Sequence, residues 1–175
     1  MNESTRKLLS EALAKHETCM RDVAGAHDQA DVLRRLVEIE QKTWSESAVE
    51  AEDRPLTYRH LLTELHDLSL IEQRYAACEH DYLKAIVQQR YAELLGTLTD
   101  MAQLTELAMK TNVALRPLVI LRFQQLLPDA LKSVSADAMP RWFTRLLMQP
   151  SEMLNFLSQS SCRLVIGKIQ ELLRT

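Results

Sequence analysis

The chain has 175 residues, of which 46% are hydrophobic and 26% are charged, a balance that excludes a disordered chain and a membrane-embedded one. Only three glycines and five prolines occur, and no run alternates apolar and polar residues as a half-buried strand does. The sequence therefore predicts an all-α fold.

The charge is unevenly distributed along the chain. The net charge is only −3, but residues 1–110 hold 13 Lys and Arg against 20 Asp and Glu, whereas residues 111–175 hold 8 against 4. Such an asymmetry can orient partner proteins or align copies of the chain head to tail. The alternative is a solvated acidic surface beside a mildly basic one, with no role in binding.

Two amphipathic helices are predicted before the first proline. The first spans residues 4–24 and ends at Gly25, a residue that commonly follows the last turn of a helix. The second spans residues 28–52 and ends before Pro55, because the residue preceding a proline disfavours helical dihedral angles. Residues 53–56 are then predicted to form a tight turn.

One very long helix, or two laid end to end, is predicted over residues 57–111, which contain no proline and a single glycine. Apolar or aromatic residues recur there at the seven-residue spacing of a coiled coil, at Leu61, Leu68, Tyr75 and Tyr82. At 1.5 Å per residue this helix would be roughly 80 Å long. Paired with the two helices before it, it predicts a long antiparallel helical hairpin, coiled-coil-like, as a first domain over residues 1–111.

The prolines that follow arrive every ten to twelve residues and predict a second domain, a head of short helices over residues 112–175 that packs with the first helix. The predicted helices are 114–127, 128–134, 140–149, 150–159 and 162–174. The nearly apolar segment 118–127 is expected at the centre of the core of this head. The proline spacing is not a sequence repeat, since the intervening residues do not match.

No motif that carries chemistry is found, so we predict neither an enzyme nor a bound metal or cofactor. The sequence lacks CxxC and HExxH metal motifs, the GxSxG nucleophile turn and glycine-rich phosphate loops. Cys19, Cys78 and Cys162 are odd in number and lie among apolar neighbours, which favours reduced thiols. With no signal peptide or apolar span, an intracellular protein, cytoplasmic or nuclear, is expected.

Binding of other proteins is the function that the long helix favours. Its apolar and tyrosine residues occupy more than one side, as expected if helices of a partner protein or of a second copy cover it. We predict contacts at Leu61, Leu68, Ile71, Tyr75, Tyr82 and Tyr91, and in the head at Arg141, Trp142 and Arg145. In the alternative arrangement, the C-terminal helices fold back along the hairpin and hide this surface in a compact bundle.

The favoured function is thus a non-catalytic scaffold subunit of a larger assembly, which binds partner helices or itself through the hairpin. A dedicated chaperone or a regulatory adaptor for one protein client is the first alternative. A nucleic-acid-binding module is the second, because Trp142 lies between Arg141 and Arg145 and an aromatic ring flanked by guanidinium groups can stack on a base.

Overall fold

The structure, a computed structural model, describes residues 28–41, 48–148 and 157–174, apart from the side chains of residues 48–54. These ranges contain eight α-helices and no β-strand, which confirms the all-α prediction. The helices are α1 (Gln29–Gln41), α2 (Ala48–Thr63), α3 (Leu68–Ala77), α4 (Asp81–Thr97), α5 (Met101–Lys110), α6 (Arg116–Lys132), α7 (Arg141–Met148) and α8 (Gln159–Leu172). The chain divides into two compact units, Met1–Tyr91 and Ala92–Thr175. The predicted helix over residues 4–24 lies outside the described residues.

The prediction of one long helix, or of two laid end to end, over residues 57–111 is wrong, because four helices, α2 to α5, share this stretch. Asp67 and Asp100 have extended backbones, and their carboxylates accept hydrogen bonds from the N–H groups of Ser69 at 2.7 Å and Ala102 at 2.8 Å. Cys78 is also extended and ends α3. An aspartate that satisfies the first free N–H groups of a helix stabilises a new helix start, and the seven-residue pattern does not register such a local break.

Prolines also proved misleading as markers of helix ends. Helix α2 passes through Pro55, so the turn predicted for residues 53–56 is wrong. Helix α6 passes through Pro128 in the same way, although Pro117 does lie in the first turn of α6 as predicted. The fixed φ of proline is compatible with a helix, and its cost there is one lost hydrogen bond and a clash with the preceding turn, which tertiary packing can offset.

The core of the first unit is built mainly on α1 and α2, which pack against each other. Helix α1 buries Val32 and Leu36, two residues one turn apart on the same face. The apolar side chains that complete this core are Tyr58, Leu61, Leu62, Leu65, Ile71, Leu83 and Val87.

The core of the second unit is centred on α6, as expected for the apolar segment 118–127. Val119, Phe123, Leu127 and Leu131 are buried at four-residue spacing, which places them on one face of the helix. Burial of each such side chain stabilises the unit by about 1.5–3 kcal/mol. Not every apolar side chain of this segment is buried, because Leu121 is 54% exposed. Helix α6 packs against α5 and α8, and α7 packs against α5.

A helix pair is repeated along the chain at a spacing of 33 residues, which the proline positions do not reveal. The end of α2 with α3 and the end of α4 with α5 each consist of a helix, a short break capped by Asp67 or Asp100, and a second helix. The matching pairs are Tyr58 and Tyr91, Leu61 and Leu94, Leu62 and Leu95, Leu65 and Leu98, Asp67 and Asp100, Leu68 and Met101, and Ile71 and Leu104. Both tyrosines are fully buried. Helix-pair repeats of this length are typical of tandem-repeat proteins.

In each repeat, an arginine donates hydrogen bonds to carbonyl oxygens at the end of the first helix. Arg90 donates to the carbonyl oxygens of Leu62, Thr63 and Leu65, at 3.2, 2.9 and 3.1 Å. Arg122 donates to the carbonyl oxygen of Leu98, which is the counterpart of Leu65. The last carbonyls of a helix have no partner within the helix, so these guanidinium groups satisfy acceptors that would otherwise need water.

Candidate functional site

The nine predicted contact residues do not form one exposed surface. Leu61, Ile71 and Tyr91 are buried in the core, whereas Tyr82 is 64% exposed. Leu68, Tyr75 and Arg145 are half-buried, Arg141 is exposed and Trp142 is buried. Leu61, Ile71 and Tyr91 therefore stabilise the fold, and contact with a partner stays a prediction for the accessible members of the set.

The aromatic ring between Arg141 and Arg145 belongs to a packed group. Trp142 meets Phe123 of α6 edge to face, with the ring centroids 6.3 Å apart, and meets Phe143 in the same manner at 5.6 Å. Such edge-to-face pairs are favourable aromatic contacts within a core. The Trp142 ring is thus used in packing α7 and offers little surface on which a base could stack.

A cluster of polar side chains, the Glu40 cluster, lies in the first unit and consists of Glu40, Tyr58, Arg74, Cys78 and His80. The Glu40 side chain is 9% exposed. Its carboxylate accepts a hydrogen bond from the Tyr58 hydroxyl at 2.6 Å and one from Nη1 of Arg74 at 3.1 Å. Nε2 of His80 lies 3.0 Å from the carbonyl oxygen of Glu40, near the end of α1. Because that oxygen can only accept, His80 is the donor, and the cluster joins α1, α2, α3 and the break before α4.

The protonation states of this cluster favour a structural role. Burial, and then the hydrogen bond to Glu40, raises the pKa of Tyr58 far above its ordinary value, so the hydroxyl stays a donor. Burial raises the pKa of the Cys78 thiol, whose Sγ donates to the carbonyl oxygen of His80 at 3.6 Å. The thiolate is the nucleophilic form of cysteine, and no imidazole accepts the proton of Cys78 here. We interpret the Glu40 cluster as a set of polar contacts that holds the helices together.

The second unit carries an open groove of about 450 Å³ between α6 and α8. Apolar surface comes from Pro128 and Leu131 of α6 and from Leu164 of α8, which is 45% exposed. Gly167 also lines the groove, and a Cβ atom added at this position would meet no atom of the described residues within 4 Å. The groove is therefore a shallow apolar surface with room above Gly167.

Charged side chains complete the lining of this groove. They are Lys132, Arg163, Lys168 and Glu171, three cations and one anion. Lys132 pairs with Asp129 at 2.6 Å, which lowers the pKa of that carboxyl, and Lys168 pairs with Glu171 at 2.7 Å. Arg163 is exposed and has no ion-pair partner within the described part of the chain. The groove thus combines an apolar floor with an excess of positive charge.

Sequence patterns do not place Arg163 and Lys168 in a groove. The signal that could have found it is Gly167, because a glycine inside a helical pattern often has a packing or functional reason. The pairing of Glu40 with Tyr58 and Arg74 has no comparable signal, since these residues are 18 and 34 positions apart.

Similarity to known proteins gives no assignment for this chain. No family model, no curated protein and no solved structure matches it. Within residues 28–41, 48–148 and 157–174, no helix is both long and apolar enough to cross a bilayer. In the same ranges, no three side chains of His, Cys, Asp or Glu are grouped as ligands for a metal ion.

Proposed function

We propose that the protein is a non-catalytic, protein-binding subunit of a larger assembly, and that it contacts its partner through the groove between α6 and α8. The observation that carries this proposal is the combination of an apolar floor at Leu131 and Leu164 with the space above Gly167. Protein interfaces use an apolar centre surrounded by polar residues. This groove, with its charged rim, has that composition.

The repeated helix pairs support the same function. Each pair has its own buried residues and its own capping aspartate, so the outward faces of the helices are free to vary without loss of the core. Repeat proteins of this kind use their outward faces as extended binding surfaces. An exposed aromatic such as Tyr82 is a further contact that this proposal accommodates in the first unit.

The chemistry of the polar residues supports a non-catalytic role. The carboxylate of Glu40 is occupied by Tyr58 and Arg74, and the thiol of Cys78 has a raised pKa. A general base needs a free lone pair within reach of a substrate, and a cysteine nucleophile needs a thiolate. The Glu40 carboxylate is only 9% exposed and accepts from two donors, and the raised pKa of Cys78 disfavours its thiolate, so the cluster is poorly suited to both roles.

The test compares two leucines of similar exposure. Leu164 lies in the groove and Leu121 lies on α6 outside the groove lining, with 45% and 54% of their surfaces exposed. The tagged chain is purified from its native cells, the retained protein is identified, and the complex is rebuilt from the two pure components. Light scattering after size exclusion should give a stoichiometric complex for the wild type and for Leu121→Asp, and free chain for Leu164→Asp.

A free chain of 20.1 kDa with every retained protein would contradict the proposal. Equal loss of the complex in Leu121→Asp and Leu164→Asp would contradict the assignment of the groove. If the retained protein folds only in the presence of this chain, the adaptor is a chaperone for one client, and the same surface serves that function.

A further inference from the structure

We infer that the occupant of the groove between α6 and α8 is an acidic amphipathic helix of a partner protein, whose apolar face lies over Gly167 and whose carboxylates meet Arg163 and Lys132. This inference rests on the proposed protein-binding function and names the chemistry of the partner. It is carried by the shape of the groove, by the open space at Gly167 and by the charges around them.

The shape favours a helix over a small molecule. Small-molecule sites are usually enclosed and bury most of the ligand, whereas this groove is open and lies between two packed helices. An amphipathic helix that places its apolar face in such a groove is a recurring mode of recognition, with contacts at residues three and four apart. Pro128 and Leu164 provide exposed apolar surface for these contacts, one from each helix.

Gly167 provides the point of closest approach. Glycine inside a helix is less stable than alanine by about 1 kcal/mol, and a Cβ atom at this position would meet no atom of the described residues within 4 Å. Packing within the described part of the chain therefore does not account for the missing side chain. A partner helix that comes close to α8 does account for it, because any larger side chain here would occupy the space that the partner fills.

The charges select an acidic partner. The exposed Arg163 has no ion-pair partner among the described residues, and its guanidinium can accommodate both oxygens of one carboxylate. Lys168 pairs with Glu171 within α8, and Lys132 pairs with Asp129 on an exposed surface. The pair of Lys132 and Asp129 is exposed and contributes little, so Lys132 can turn to a carboxylate of the partner at small cost, whereas the Lys168 side chain is only 11% exposed and stays beside Glu171.

A second copy of the chain is a poorer occupant than another protein. In α1, Asp31 pairs with Arg34 and Arg35, and Glu38 pairs with Arg34, while Glu40 pairs with Arg74 of α3, so the acidic groups of that amphipathic helix already have partners. A helix with unpaired Asp or Glu residues beside its apolar face matches the groove better.

The probe is a synthetic helical peptide of about 18 residues, five turns, with leucines on one face and glutamates on both flanks. A second peptide has lysine at every glutamate position. Fluorescence anisotropy measures the Kd of both peptides for the full-length chain at low and high salt. We expect the glutamate peptide to bind, the lysine peptide not to bind, and added salt to weaken the complex.

Two matched glycine variants locate the binding. Gly167→Leu fills the groove, whereas Gly96→Leu makes the same change in α4, where a Cβ atom also meets nothing within 4 Å. Both variants should fold, as checked by circular dichroism and thermal unfolding. Gly167→Leu should raise the Kd of the glutamate peptide about tenfold or more, and Gly96→Leu should leave it unchanged. Arg163→Glu should weaken binding of the glutamate peptide and strengthen binding of the lysine peptide.

Several results would overturn the inference. These are equal binding of both peptides, no binding of the glutamate peptide, and equal effects of the two glycine variants. A concentration-dependent dimer that Gly167→Leu abolishes would assign the groove to a second copy and overturn it as well. If the partner retained from native cells still binds Gly167→Leu and does not compete with the glutamate peptide, this inference fails while the protein-binding function stands.

Discussion

Arg122 donates two hydrogen bonds to the carbonyl oxygen of Leu98, from Nε at 3.1 Å and from Nη2 at 3.0 Å. Arg90 makes the corresponding bond to the carbonyl oxygen of Leu65, which lies 33 residues before Leu98 in the sequence. An arginine placed one residue before a buried aromatic, Tyr91 or Phe123, thus holds the end of the preceding long helix in both cases. The repeated helix pair is defined by these arginines as well as by its apolar residues.

Replacement of Arg122 by methionine should destabilise the protein. The substitution keeps an unbranched apolar chain of similar length but leaves the Leu98 carbonyl without its donor, which we expect to cost about 1–3 kcal/mol. Urea unfolding measures the loss in the free energy of unfolding, provided that the dependence of this free energy on urea concentration is the same for both proteins. Arg163→Met, at an exposed arginine without an ion-pair partner in the described ranges, is the matched control and should change the unfolding midpoint little. Equal effects would contradict the capping role.

Removal of the Glu40 carboxylate should be more costly. Glu40→Ala leaves Arg74 without its charge partner and Tyr58 without its acceptor, and breaking a buried ion pair costs about 3–5 kcal/mol. Tyr58→Phe removes a single hydrogen bond and should cost about 1 kcal/mol. In a double-mutant cycle the two changes should be non-additive, because both act on the same hydrogen bond. Additive changes in free energy would show that the two residues do not interact.

The stability of the first unit should depend on the ionisation of Cys78 at alkaline pH. Burial raises the pKa of its thiol above the ordinary value of 9.0, so the folded chain keeps this proton to a higher pH than the unfolded chain does. The resulting stabilisation is complete below that ordinary value and is lost as the pH rises through the folded-state pKa.

The measurement compares urea unfolding of the wild type and of Cys78→Ala at a series of pH values from neutral to alkaline. The pKa of Tyr58 is raised mainly by burial and by Glu40, which both proteins share, so most of its contribution cancels in the difference, apart from the smaller part due to the charge of Cys78. The advantage of the wild type over the variant should shrink once the pH passes the ordinary thiol value. A difference that is constant with pH would contradict the burial of the thiol.

Replacement of Pro55 by alanine should stabilise α2. Proline in a helix interior removes one hydrogen bond and costs about 3 kcal/mol relative to alanine, part of which its rigidity in the unfolded chain offsets. We expect a gain of about 1 kcal/mol or more and no loss of helical content by circular dichroism. If residues 53–56 formed a turn instead, the same substitution would destabilise the protein, so the sign of the change distinguishes the two structures.

Local patterns in the sequence predicted part of the architecture well. The lack of alternating strands and the scarcity of glycine predicted the all-α fold, and the apolar run 118–127 predicted the core of the second unit. The Glu40 cluster and the α6–α8 groove could not be predicted in this way. Their residues are far apart in sequence, and only packing of helices brings the hydroxyl of Tyr58 to the carboxylate of Glu40 or Leu164 to the neighbourhood of Leu131.

The sequence by itself determined that the chain is helical, that its charge is unevenly spread and that segment 118–127 is apolar enough to lie in a core, because these properties depend on residue type and short-range spacing. Tertiary structure alone decided which residues of the seven-residue pattern are buried and which are exposed. The helical phase restarts at the breaks before α3 and α4, so Leu61 is buried while Tyr82 is 64% exposed. A spacing rule holds only within one continuous helix. The extended N-cap residue Asp67 and the extended backbone at Cys78 end that continuity.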